Sequence, residues 1–110
     1  MLSQKDIVEV NKSFSTGVLV NGSSLDYAVK AVARSKNWLR AAAVLSRAIL
    51  VDHIFEDGNK RTAAAVIMLL MDMQGIAYDP EEIPKIVLNI SRKSITSIPQ
   101  LERCIKNAIR

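Results

Sequence analysis

Apolar residues recur at helical spacing along nearly the whole chain, while the alternation of a half-buried strand is almost absent. Ser3 with Asp6 reads as a helix start, and Ile7, Val10 and Phe14 then mark one face of a first helix over about 3–14. Residues 16–22 break the pattern. Gly17, Val18, Leu19, Val20, Asn21 and Gly22 form a short β-branched run among glycines, which reads as a loop or a small hairpin. Behind a cap at Ser23 or Ser24, the positions Leu25, Ala28, Val29, Val32 and Ala33 trace an amphipathic helix to about Ser35. Asn37 is placed to cap the next helix, whose Trp38, Leu39, Ala41 to Leu45, Ala48 to Val51 and Ile54 leave little polar circumference, so most of it is expected to be buried.

The segment 59–74 is more apolar still, with no charge from Ala63 to Met71 and with Gly75 positioned to end it in a left-handed turn. Asp79 and Pro80 open another turn-to-helix passage, with a buried stripe of Ile83, Ile86, Val87 and Ile90; Pro84 leaves the first residue of that helix open. Ser97 with Gln100 has the spacing of a capping box, followed by Leu101, Ile105, Ala108 and Ile109 on one face. The expected architecture is all-α: one domain over 1–110, a compact bundle of about six helices around a central buried helix at 59–74.

Composition supports this reading. Apolar residues make up 49% of the sequence but aromatics only 5%, so the core must be aliphatic, as suits packed helices. The formal net charge of +4 favours anionic partners without choosing among them. A single cysteine, Cys104, excludes an internal disulfide and a thiolate metal cluster and suits a reducing cytoplasm; its simplest place is half-buried on a helix. The longest uncharged apolar stretch, Thr62 to Met71, is shorter than the ~20 residues of a bilayer crossing, and no apolar signal core opens the sequence. The expectation is a cytoplasmic protein with no membrane partner.

The chemistry concentrates between two helical segments, in His53-Ile54-Phe55-Glu56-Asp57-Gly58-Asn59-Lys60-Arg61. Gly58 and Asn59 would open a helix whose free N–H groups and positive dipole end receive an anion. Lys60 and Arg61 fall in its first turn, where the dipole disfavours cations by ~0.3–1 kcal/mol each, an arrangement that a bound polyanion reverses. His53, the only histidine, suits a general base, although a lone histidine at a helix end is commonly just tolerated there. Asp57 is either a turn residue or a carboxylate holding Mg2+ together with phosphate oxygens; Glu56 is expected to face solvent. Phe55 reads as an anchor that fixes the loop, and Asn59 as an N-cap or a phosphate donor. A calcium loop does not fit, since it would require His53, Phe55 and Ala64 as oxygen ligands.

The string His53 to Thr62, HIFEDGNKRT, resembles the Fic/Doc superfamily signature H-x-F-x-(D/E)-(G/A)-N-(G/K)-R at every specified position, and the helical layout is most similar to the small Doc (death-on-curing) toxin branch over nearly the whole sequence. The resemblance implies a transferase that modifies a hydroxyl of a target protein with ATP or another NTP as co-substrate. Relatives with glycine at the position of Lys60 typically transfer AMP, whereas those with lysine are similar to Doc, which transfers the terminal phosphate to elongation factor Tu. Carried over by position, His53 is the base, Asp57 the Mg2+ ligand, and Gly58, Asn59, Lys60 and Arg61 the phosphate cradle. Val18, Leu19 and Val20 lie in the flap that aligns the target by strand-like pairing. Ala64 stands where many AMP-transferring relatives carry a second arginine, and Ala65 where Doc carries a polar residue. No S/T-x-x-x-E inhibitory helix is present in the sequence, so the resemblance implies a separate antitoxin.

Two further readings compete. One keeps the fold and transfers AMP. The other makes the protein an inactive helical binder of nucleic acid or protein through Arg34, Lys36, Arg40 and Arg47, whose scattered spacing gives no recognition helix, so nucleic acid ranks low.

Overall fold

The computed structural model describes residues 2–110 and contains among them six helices and no sheet: α1 (Gln4–Lys12), α2 (Gly22–Val32), α3 (Trp38–Leu50), α4 (Asn59–Met73), α5 (Glu82–Lys93) and α6 (Ile98–Lys106). Capping chemistry explains most of their ends. Ser3 Oγ accepts the Asp6 N–H at 3.1 Å while the Asp6 carboxylate accepts the Ser3 N–H at 2.8 Å, a reciprocal pair that satisfies two otherwise unpaired donors. Asn37 Oδ1 accepts from the Arg40 N–H at 3.1 Å, and Ser97 Oγ from the Gln100 N–H at 3.4 Å. Gly75, at φ +68°, ends α4: its N–H donates to Asp72 O at 3.1 Å, and the Ile76 N–H reaches Met71 O at 3.0 Å. Pro84 is accommodated within the first turn of α5, where a missing N–H costs no helical bond.

Two helices differ from the lengths their periodicity suggests. Helix α1 stops at Lys12, because the N–H groups of Phe14 and Ser15 both turn back to Asn11 O, at 2.9 and 2.7 Å. Phe14 therefore leaves the apolar face and is 40% exposed. Helix α2 begins at Gly22, ahead of Ser23, and ends at Val32, leaving Ala33 exposed. Asn21 precedes it without capping it, since its amide donates instead to Asp52 O at 3.0 Å.

Helices α3 and α4 share the centre. Helix α4 packs on α1, α3 and α5, while α3 touches α2, α4, α5 and α6. Ala41, Ala42 and Ala43 on α3 are wholly buried and let neighbouring backbones approach closely. Around them lie Leu45, Ile49, Ile67, Leu70, Met71, Leu25, Ile83, Ile90 and Leu101, all essentially without solvent contact. Each contributes about 1.5–3 kcal/mol of burial, so the two helices form a rigid base. Cys104 is half-buried and free.

Residues 16–22 do not form a hairpin. Their neighbours in sequence are helical, so the backbone pairs instead with the loop between α3 and α4. Leu19 and Phe55 make an isolated antiparallel bridge, in which the Val20 N–H donates to Ile54 O at 2.9 Å and the Glu56 N–H to Val18 O at 3.0 Å. No helix among the described residues is long and apolar enough to cross a membrane.

Candidate functional site

The α3–α4 loop must reverse direction within eight residues, 51–58, and it does so with two residues in left-handed conformation. Gly58, at φ +78°, is the residue before α4, and a Cβ there would lie 3.1 Å from Asn11 Nδ2 and 3.2 Å from Ser15 Cβ. Glycine is thus required both by the turn and by the close approach of α1. His53 adopts φ +56°, which is uncommon for a residue with a side chain. Its imidazole is exposed and has no hydrogen-bond partner among the described residues. Between them, Phe55 is wholly buried.

Asn59, buried in the first turn of α4, spends its amide on that loop. Its Oδ1 accepts from the Phe55 N–H at 3.1 Å, and its Nδ2 donates to Phe55 O at 2.9 Å. The amide therefore shapes the loop and neither caps α4 nor points at solvent. The helix has no side-chain cap, and its first bond runs from the Thr62 N–H to Gly58 O at 2.9 Å. The N–H groups of Gly58, Asn59, Lys60 and Arg61 consequently find no acceptor among the described residues. Four unpaired donors at the positive end of a 15-residue helix make a receptor for an anion.

A cleft of about 380 Å3 opens over this terminus and is lined by His53, Asp57, Gly58, Asn59, Lys60 and Arg61. All six residues expected to handle phosphate are therefore brought together. Glu56 lines it too, so two of the three loop acids face the cleft, Asp52 being the exception. Lys60 and Arg61 are exposed, no acidic residue shares their helical turn, and neither forms an ion pair among the described residues. Val18 and Val20 are exposed and Leu19 half-buried; they border the loop through the bridge and do not line the cleft. In an extended strand successive backbone groups alternate sides, so the N–H and C=O of Leu19 face away from the loop, and neither has a backbone partner there.

Asp57 offers one hard oxygen site. Its carboxylate accepts from Ser15 Oγ at 3.1 Å and pairs with no cation among the described residues. No group of three acidic, histidine or cysteine side chains there could hold a metal unaided. The donor set fits a magnesium ion shared between one carboxylate, phosphate oxygens and water, and does not fit a cage built of protein alone.

Several contributors escape sequence inspection. Phe14, Leu50 and Ser91 complete the cleft wall, and Ser15 holds Asp57. Wholly buried Asn11 reaches the same loop from α1, donating to Asp57 O at 2.9 Å. Serines and asparagines at helix ends read as surface residues. The only available signal was that Asn11 falls one turn beyond Ile7 on the buried side of α1.

No curated protein sequence matches this one closely enough to count as a relative. The description Fic/DOC family, however, belongs to a family model that matches residues 8–71, from the middle of α1 through the loop and nearly all of α4. That span holds the bridge segment, the cleft residues from His53 to Arg61 and the buried asparagine behind them, and it exceeds half of the sequence. On that match the protein belongs to the Fic/DOC family.

Proposed function

We propose that this protein transfers the terminal phosphate of ATP, or of another NTP, to a hydroxyl of a target protein. Members of the Fic/DOC family are generally enzymes that transfer nucleotide-derived groups to proteins. The observation that carries the finer reading is the convergence of His53, Asp57 and four unpaired N–H groups on one cleft, with Lys60 and Arg61 at its edge. Phosphoryl transfer calls for positioning and charge neutralisation, and this cleft supplies both.

The triphosphate lies along the N-terminus of α4, its oxygens taking the free N–H groups, the planar fork of Arg61 and the point charge of Lys60. Asp57 would hold Mg2+, which when bound neutralises phosphate charge. Neutral His53 accepts the proton of the target hydroxyl as that oxygen bonds to the γ-phosphorus; the bond to the β–γ bridging oxygen breaks and the nucleoside diphosphate leaves. The free edge of Leu19, between exposed Val18 and Val20, favours a target presented as an added strand. A translation factor such as elongation factor Tu, a separate antitoxin and a cytoplasmic setting belong to this same reading.

Lys60, in the place where AMP-transferring relatives carry glycine, favours phosphate over AMP. The test uses ATP labelled at the γ- or the α-phosphate, incubated with Mg2+, a cell lysate and the protein. Label should pass to a target from the γ position only. His53→Ala should lower transfer by at least ~10²-fold. Lys60→Gly should shift transfer toward the α label or abolish both. Transfer from the α position by the unaltered protein would replace phosphorylation with AMP transfer. Salt-dependent duplex binding with no labelled product would favour a binding module.

A further inference from the structure

We propose that Asn11 is a positioning residue that joins the target-docking segment to the loop bearing Asp57, so that order in either tightens the other. Its planar amide is wholly buried and serves three elements at once: Oδ1 accepts from the Gly17 N–H at 2.9 Å, and Nδ2 donates to Asp57 O at 2.9 Å and to Thr62 Oγ1 at 3.0 Å. Both amide protons are spent, and the donor-only Gly17 N–H and the acceptor-only Asp57 C=O fix which way the amide points. The backbone of the same residue adds a fourth link. Asn11 O accepts from the Ser15 N–H at 2.7 Å, and Ser15 Oγ donates to the Asp57 carboxylate at 3.1 Å. Asp57 is thus held at its carbonyl by the side chain of Asn11 and at its carboxylate through the backbone of Asn11. Gly58 completes the arrangement, since any Cβ there would press on Asn11 Nδ2.

An apolar residue of the same shape would serve packing equally well, so packing does not account for an amide. Without it, the Gly17 N–H, the Asp57 carbonyl and the Thr62 hydroxyl would lose their partner in a place water reaches poorly. The link to catalysis rests on the proposed function, in which Asp57 holds magnesium and residues 18–20 receive the target. The mechanical link between segment and loop does not.

Two measurements separate these layers. The first is amide exchange in the free protein, comparing the unaltered protein with Thr62→Val, which keeps the side-chain shape and removes one of Asn11's partners. Thr62 makes no hydrogen bond to Gly17 or Glu56, yet their amides should exchange about tenfold faster while amides of α6 keep their rates. Unchanged exchange at Gly17 and Glu56 overturns the proposal. The second is calorimetric affinity for Mg·ATP in Asn11→Asp, which keeps the acceptor for Gly17 but sets an oxygen against the Asp57 carbonyl. Affinity should fall at least about tenfold, whereas Ile105→Val, a core change on α6, should leave it unaltered. Full affinity in Asn11→Asp also overturns the proposal. If the unaltered protein takes up no Mg·ATP, the proposed function fails and the exchange experiment still decides the role of Asn11, as it does if Asn11→Asp does not fold.

Discussion

Phe55 and Asn59 hold each other through a closed pair of hydrogen bonds, backbone N–H to Oδ1 at 3.1 Å and Nδ2 to backbone C=O at 2.9 Å, four residues apart and buried. The pair splices the end of the loop onto the first turn of α4 and sets the path of the backbone two residues after His53. Asn59→Ala would leave the N–H and C=O of Phe55 without partners. We expect a loss of about 2 kcal/mol or more, measured by urea denaturation, with transferase activity falling further than the stability change alone accounts for. Unchanged stability would refute this account of Asn59.

Gly58→Ala should also destabilise, for a different reason. A side chain at φ +78° is strained wherever it points, and here it also meets Asn11 and Ser15. The expected cost is about 1–3 kcal/mol by chemical denaturation. Gly75, which has open space around its missing Cβ, offers the comparison: Gly75→Ala carries the backbone strain alone and should cost less.

One change should stabilise the protein. Ser46 is wholly buried on α3, and its hydroxyl has no partner among the described residues. Ser46→Ala removes a desolvated polar group and improves helix propensity, so a gain of about 1 kcal/mol is expected in thermal or urea melts. A loss of stability would reveal a partner for that hydroxyl.

The start of α1 should be sensitive to acid. The Ser3 backbone N–H, and then its hydroxyl, hold the Asp6 carboxyl below its ordinary value of 3.8. A depressed folded value means that the stabilisation is complete above that ordinary value and is lost as pH falls through the lower, folded one. A carboxyl titration followed by NMR should show the depression in the unaltered protein and a smaller one in Ser3→Ala, which removes the hydroxyl but keeps the backbone N–H. An ordinary titration in both would remove the capping pair from the account.

Much of the fold was legible because helices announce themselves locally. The stripe Ile83, Ile86, Val87 and Ile90 is buried, and the caps at Ser3, Asn37 and Ser97 and the left-handed Gly75 occur where short-range chemistry places them. The cleft residues from His53 to Arg61 were legible for the same reason, since they lie within nine consecutive positions, whereas Ser91 was not. What lay hidden depends on distant partners. Asn11 finds Asp57 and Thr62 across 46 and 51 residues, and its place one turn beyond Ile7 on α1 says nothing of those partners. Residues 18–20 have strand character in their sequence, but their partner is the loop after α3, so a hairpin was the wrong pairing to infer. Phe14 kept helical spacing after the helix itself had ended at Lys12.

The left-handed backbone of His53 has a consequence for engineering and for evolution. Among the described residues nothing hydrogen-bonds the imidazole, and glycine or asparagine at that position would relax the peptide while removing the side chain proposed as the base. Selection for folding alone would drift toward those residues. Retaining a histidine there is worthwhile only while the proposed reaction is useful, which makes this position a gauge of whether a variant keeps that proposed activity.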